Sequence, residues 1–429
     1  MSSENNTVNL RNIVLSMLLE TLEKGRFSNV VVNETFAKYQ LDPRNRAFIS
    51  RLYSGCLERL LWLDYTVDAY SSVPVRKMKP AVRNILRLSL YQMKFMDSVP
   101  DHAAINEAVK LAVKRGFGSL RSFINGVLRA IQRGGRNIDY PAYIEYSCPE
   151  WLYDLLVKSY GAETANSFLR RTINPESGIT ARLNLNNGSA EMIKAQLEKE
   201  GCMVADIPDF PEAVNIKGFE SITSLSPFRQ GSIFIQDLNS MRVADEAAKA
   251  SDAEHPFILD VCAAPGGKSL HMAELFPKGK VTACDISETK TDLIDENIRR
   301  MGYKNITSQV QDAREFRSEW EGRADIVIAD LPCSGLGVIG RKPDIKYRVR
   351  EKDLDDLAKL QREILANVSG YVKKGGVLVY STCTVNKAEN EENALWFEKT
   401  SGFEMLSAKQ YIDEKDGSDG FFISVFRKN

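Results

Sequence analysis

Along the first third of the chain, apolar positions recur with helical spacing. Val14, Leu18 and Leu22, with Leu15 and Leu19, form an i, i+4 stripe. Phe48, Leu52, Cys56 and Leu60 form a second, entered at Asp42-Pro43, where a capping carboxylate precedes a residue with no N–H to leave unpaired. Pro80 opens a third through Ile85, Leu86, Leu90 and Met93. Two more follow, from Ile105 to Val113 and through Phe123, Val127 or Leu128, and Ile131. Helices this close together predict a compact bundle, ending at Gly134-Gly135, with Arg136 to Tyr146 as a linker.

The pattern then changes twice. Between 147 and 240 two short helices (near Glu150 to Ser159 and Glu163 to Thr172) precede a strand-like run from Ile179 to Leu185. Ser189 caps a helix ending at Gly201, and short strands are expected around Ala213 to Ile216 and Ser232 to Gln236. From about 255, short apolar runs alternate with helical stretches: Phe257 to Cys262, Lys280 to Cys284, Ile306 to Val310, Asp325 to Asp330 and Gly376 to Ser381. Buried runs of that kind predict a parallel sheet covered on both faces. The expected architecture is α/β, with an all-α domain over 1–140, a small α+β connector over 147–240 and a Rossmann-like domain over 241–429.

Composition narrows the class. A chain of 429 residues that is 43% hydrophobic has ample core for two or three domains. No apolar stretch approaches membrane-spanning length, and Met1 to Asn6 lacks the basic and apolar regions of a signal peptide. Seven cysteines without a CxxC pair argue against a disulfide framework or a zinc ribbon, and His102, His255 and His271 are too scattered for a metal site. A reducing cytoplasm and a monomer are expected. Net charge is zero, yet residues 1–140 carry 21 basic against 12 acidic side chains, so the remainder is acidic. That asymmetry points to an anionic partner such as nucleic acid, with Lys114, Arg115, Arg121, Arg129, Arg133 and Arg136 clustered on the last two helices and the following turn. The bland alternative is a solvated helical surface.

Chemistry gathers at the ends of the predicted strands, where ligands bind in open α/β sheets. The first runs through Cys262 into Ala263-Ala264-Pro265-Gly266-Gly267-Lys268. Its glycines let backbone approach a ligand closely, and the following helix start offers N–H groups to an anion. The GxGxxG spacing of a dinucleotide site is missing, which argues against a dehydrogenase. Asp285 ends the next strand, placed to accept ribose hydroxyls, and Asp312 follows the third, placed for an adenine amino group or, alternatively, as a helix cap. The run fits an adenosine ligand with one anionic tail, such as S-adenosylmethionine.

Two thiols complete the set, Cys333 in Asp330-Leu331-Pro332-Cys333-Ser334-Gly335 and Cys383 in Ser381-Thr382-Cys383-Thr384. Cytosine C5 is a poor nucleophile until a thiolate adds to C6. A carboxylate such as Asp330, lying on both the base and the cofactor side, would stabilise the ring during addition. Arg341, Lys342, Lys346, Arg348 and Arg350, interleaved with Tyr347, follow this loop and are read as RNA-backbone contacts; the alternative is a solvated face. Cys56, Cys262 and Cys284 are expected to pack as small hydrophobes, Cys262 also lying in the cofactor turn.

In this order, AAPGGK, DLPCSG and STCT resemble the RNA cytosine-C5 methyltransferase family typified by the Fmu/Sun proteins. Arg341-Lys342-Pro343-Asp344, Asn390-Glu391-Glu392-Asn393 and Asp419-Gly420-Phe421-Phe422 agree with it. The helical segment, with Phe123-Ile124-Asn125-Gly126-Val127-Leu128, is similar to the NusB antitermination fold, a combination that marks the RsmB family. The resemblance covers nearly the whole chain. It implies an S-adenosylmethionine-dependent methyltransferase domain behind a NusB-like domain, acting on 16S ribosomal RNA. It also implies that Cys383 attacks C6, that Cys333 helps release the product and that Lys268 contacts the target base. Leu331, where many relatives have Ala, and Ser381 depart from the pattern without removing a reacting group. Two rivals remain: an RNA-binding assembly or antitermination factor with a vestigial methyltransferase domain, and a transfer-RNA cytosine-C5 enzyme.

Overall fold

The structure is a computed structural model that describes residues 9–39, 41–174, 178–412 and 417–429. The chain divides into two compact units, Met1–Pro175 with Ile339–Arg348, and Glu176–Val338 with Val349–Asn429. Among the described residues no helix is long and apolar enough to cross a membrane.

The first unit is helical. Its core is built from the predicted stripes: Leu15, Leu18, Leu52, Cys56, Ile85, Leu86, Leu90, Ile105, Ile124 and Leu128 are all buried together. Asp42 caps the helix Pro43–Glu58 by accepting the Asn45 amide at 2.8 Å. Leu60 does not continue that helix. The backbone turns out of helical geometry at Arg59, and Leu60 opens a separate helix, Leu60–Tyr70. The helices Glu150–Tyr160 and Ala162–Thr172, expected at the head of the connector, fall in this unit. These two helices therefore lie in the first compact unit, while the strands after them and the helix Ala190–Lys199 lie in the second.

A distant segment completes this unit. Between Ile339 and Arg348, Asp344 accepts from Ser28 N at 3.2 Å and Ser28 Oγ at 2.5 Å. Lys346 Nζ donates to the Glu58 carbonyl at 3.0 Å, and Tyr347 OH to that of Leu57 at 2.8 Å. Arg348 lies 3.7 Å over the Phe27 ring and donates to the Gly25 carbonyl at 2.6 Å.

The second unit holds two sheets. Strands β1 (Ile179–Leu183), β2 (Met203–Ile207), β3 (Phe210–Lys217) and β4 (Ile233–Ile235) form an antiparallel sheet in the order β2-β3-β1-β4. Ser189 caps its helix, Ala190–Lys199, as expected. The larger sheet contains β5 (Phe257–Asp260), β6 (Lys280–Asp285), β7 (Ile306–Val310), β8 (Ala324–Asp330), β9 (Val372–Thr382), β10 (Phe403–Tyr411) and β11 (Phe421–Lys428). Its order is β10-β11-β9-β8-β5-β6-β7. The strands from β9 to β7 are parallel, but β11 runs antiparallel to β9 and β10 antiparallel to β11, so the sheet is mixed where a purely parallel one was expected.

Alternation along the strands builds a core on each face. Ile258, Val281, Ala283, Ile326, Ile328, Val377 and Val379 pack on one side; Leu259, Val327, Ala329, Leu378 and Tyr380 pack on the other. With both faces apolar, polar side chains collect at the strand ends. There Asp260, Asp285, Asp330 and Thr382 stand along one edge.

Candidate active site

The turn after β5 is shaped by what it excludes. Gly266 has φ +103°, a conformation that L side chains rarely adopt, and caps the helix Gly267–Leu275. A Cβ on Gly267 would come within 3.0 Å of the Phe234 ring. Ala263 N is anchored to the Cys284 carbonyl at 2.8 Å. Beneath the turn Asp260 is buried, accepts Ser269 Oγ at 2.5 Å, and has its pKa pushed up to about 7 by burial.

Asp285 is buried at the end of β6. Its Oδ1 takes the Ile286 amide at 2.8 Å and Lys290 Nζ at 2.9 Å, whereas among the described residues Oδ2 takes only the Ala264 amide, at 2.9 Å. One lone pair on Oδ2 therefore stays free for a hydroxyl. Beside it Ile286 is 53% exposed, and Val310, in register with Asp285, is 41% exposed. A carboxylate flanked by two uncovered apolar side chains fits the ribose and adenine of S-adenosylmethionine. Asp312 starts a turn and caps no helix. It accepts the Arg314 amide at 2.9 Å and its guanidinium at 2.6 Å, and the bond to Arg314 holds its carboxyl below the ordinary range. An adenine contact there would compete with Arg314.

The thiols meet. Cys333 Sγ lies 3.3 Å from Cys383 Sγ. Strand register explains it: Asp330 pairs with Ser381 across β8 and β9, and Leu331 N donates to the Ser381 carbonyl at 3.1 Å. Both chains then turn at the same edge. The hydrogen bond to Cys383, with burial behind it, raises Cys333 well above the usual thiol range. Asp330 accepts Lys268 Nζ at 2.7 Å and Ser381 Oγ at 2.8 Å, while Lys268 also donates to Ser240 Oγ at 2.9 Å. Burial alone would lower the pKa of Lys268, but Asp330 outweighs it and the ammonium is held above its ordinary range. Burial also raises the thiols of Cys262 and Cys284, the latter to about 12, which suits packing. Among the described residues no cluster of three or more His, Cys, Asp or Glu side chains suited to a metal occurs.

Sequence reasoning missed the buried network beside the thiols. Glu389 accepts from Ser334 N, Ser334 Oγ, Gln361 Nε2 and Asn386 Nδ2 at 2.5 to 3.1 Å. Asn390 takes Thr382 Oγ1 at 2.5 Å and donates to the Thr384 carbonyl at 3.0 Å. The available signal was polar residues crowding a segment directly after a strand-end cysteine. Ser381, which looked like a small variation, positions Asp330.

The basic residues separate into groups. Lys114, Arg121, Arg133, Arg341 and Lys342 are exposed, and Arg136 is exposed with its guanidinium over the Tyr70 ring. Arg115 is tied to Asn12 and Ser16, and Arg129 to Gln132. Lys346 is corrected. It is 1% exposed, and burial lowers its pKa to about 8, so it serves the helical unit and not an RNA backbone. Arg348 is likewise committed to Phe27 and Gly25.

Residues 248–427 match the family described as 16S rRNA methyltransferase RsmB/F, and residues 8–133 match the NusB family. A probable ribosomal RNA small subunit methyltransferase B of Bacillus subtilis is 37% identical, over 98% of both chains. Ribosomal RNA small subunit methyltransferase B of Escherichia fergusonii is 31% identical, over 98% of this chain and 99% of its own. Among solved structures, the crystal structure of PH0851 shares the fold with a TM-score of 0.82 at 24% identity, covering 98% of this chain and 99% of that one.

Proposed function

The chain belongs to the ribosomal RNA small subunit methyltransferase B family, whose cofactor is S-adenosylmethionine, and from that premise we propose that it methylates C5 of a cytosine in 16S ribosomal RNA through a covalent cysteine adduct. The observation that carries this reading is the pair of thiols 3.3 Å apart at the ends of adjacent parallel strands, beside a carboxylate paired with a buried lysine.

Cys383 is the attacking sulfur. The resemblance to the family assigns it that role: its thiolate adds to C6 and the C5=C6 electron pair moves to C5, while the bond to Cys383 and burial hold the proton on Cys333. Asp330 accepts the exocyclic amino group, while the Lys268 ammonium offsets negative charge growing on the ring. Gly266, Gly267, the Ala263-Ala264-Pro265 turn and Asp285 hold S-adenosylmethionine, with Asp312 at the adenine. When bound, that group supplies an electrophilic methyl for C5. Forming the C6–S bond turns Cys383 into a thioether and so weakens the hydrogen bond that held the Cys333 proton. Cys333 gives that proton to water and takes the one on C5. The freed electron pair restores C5=C6, and the C6–S bond breaks back onto Cys383. The base has to leave its stack to reach a strand-end pocket. Lys114, Arg121, Arg133, Arg136, Arg341 and Lys342 remain the proposed RNA contacts.

Full-length Cys333→Ala and Cys383→Ala proteins, incubated with labelled 16S RNA and S-adenosylmethionine and run on a denaturing gel, test this. Cys333→Ala should accumulate a covalent RNA adduct and Cys383→Ala should form none. The opposite pattern would exchange the two roles. No adduct in either, with no 5-methylcytosine by bisulfite sequencing after wild-type treatment, would overturn the reading.

A further inference from the structure

We propose that Glu389 is a positioning residue that holds the two cysteine loops in register, an inference that rests on the two-thiol reading above. Its carboxylate is fully buried and receives two donors on each oxygen. Oε1 takes Ser334 Oγ at 2.5 Å and Asn386 Nδ2 at 3.1 Å. Oε2 takes Ser334 N at 2.9 Å and Gln361 Nε2 at 3.0 Å. Ser334 directly follows Cys333, and its hydroxyl lies 2.7 Å from Thr384 Oγ1, in the residue directly after Cys383. Gln361 Nε2 also donates to the Pro332 carbonyl at 2.9 Å, so the backbone is fixed on both sides of Cys333. One carboxylate thus fastens Ser334 directly and Thr384 through it, while touching neither sulfur nor any reacting atom.

The donor set specifies the side chain. All four partners donate, so both arms at position 389 must accept. Glutamine has the same shape, but its NH2 would face donors on one arm and leave them unpaired in a buried site. The negative charge also helps to keep the proton on Cys333, after the larger effects of the Cys383 bond and burial.

The test compares full-length wild type, Glu389→Gln and Ser334→Ala in methyl transfer to 16S RNA, with S-adenosylhomocysteine affinity measured by calorimetry. Glu389→Gln should lose about a hundredfold in kcat, the scale of a misplaced reacting group, with KM for RNA and S-adenosylhomocysteine affinity unchanged. On a Cys333→Ala background it should slow adduct formation by the same factor. A kcat within about twofold of wild type, or losses shared equally by kcat and cofactor affinity, would overturn the inference. Should Glu389→Gln fail to fold, Ser334→Ala decides: it keeps the backbone bond, and a loss of about tenfold in kcat at constant KM is expected, against no loss if the network is mere packing. The wild type keeps the two readings apart. If it makes 5-methylcytosine and Cys333→Ala traps RNA, a normal Glu389→Gln sinks only the positioning role; if neither happens, the two-thiol chemistry itself fails.

Discussion

Replacing Lys268 by Met tests the electrostatic centre of the site. The Lys268 side chain is 11% exposed and that of Asp330 28%, with Nζ 2.7 Å from Oδ2. Removing one member of a buried pair typically costs about 3–5 kcal/mol, because the other charge is left desolvated without a counterion. Asp330 keeps its bond from Ser381 Oγ and some contact with water, so the low end applies, about 3 kcal/mol. Removing both charges should be gentler than the two single losses together. Lys268→Met with Asp330→Asn should recover about 2 kcal/mol relative to additivity, within the range for side chains in direct contact. Native-state hydrogen exchange of the β5 and β8 amides measures this within the second unit. Additive losses, to within about 0.5 kcal/mol, would refute the claim that the two side chains act as a coupled pair.

Other outcomes rest on individual residues. Asp285→Ala should weaken S-adenosylhomocysteine binding by about 1.5–3 kcal/mol, read by calorimetry; unchanged affinity would remove Asp285 from the cofactor site. Asp260 binds its proton more tightly folded than unfolded, since burial lifts its pKa to about 7, so its contribution to stability falls as pH rises from about 4 to 7, at up to about 1.4 kcal/mol per unit. Asp260→Asn should flatten that dependence in urea titrations, and an identical slope in both proteins would contradict it. Among the exposed cations, Lys114→Gln, Arg121→Gln and Arg133→Gln should each reduce the log–log salt slope of 16S RNA binding by about 0.9 or less for each phosphate no longer neutralised, and an unchanged slope would exclude that residue from the interface.

What the sequence revealed depended on how much each element buries. The stripes through Leu15 and Leu18, Ile85 and Leu86, and Ile124 and Leu128 were legible because each fills the helical core. The helix Ser28–Lys38 buries only Ser28 and Val31, and so carried no stripe to read. Strands β2 and β10 lie at sheet edges with largely uncovered side chains, which erased their alternation, whereas β11 is buried for most of its length. In the site, Asp285, Asp330, Cys333 and Cys383 were visible because each follows or ends an apolar strand. Glu389, Gln361 and Ser334 come together only through tertiary structure, and no local pattern joins them. The basic run after Gly340 misled for the same reason: Asp344, Lys346 and Tyr347 lie close in sequence, yet all three have partners far upstream.

The helical unit is not made of one stretch of chain, and that constrains how the protein is synthesised and how its gene can be divided. A ribosome releases Ser28, Leu57 and Glu58 early, but Asp344, Tyr347 and Lys346, which bind them, emerge only after β1 to β8 have been made. Domains usually fold in the order of their synthesis. Here the unit that is translated first must wait for a late segment before its last bonds can close. An exchange of this unit between relatives would therefore have to carry two separate stretches of gene, the second lying inside the coding sequence of the other unit.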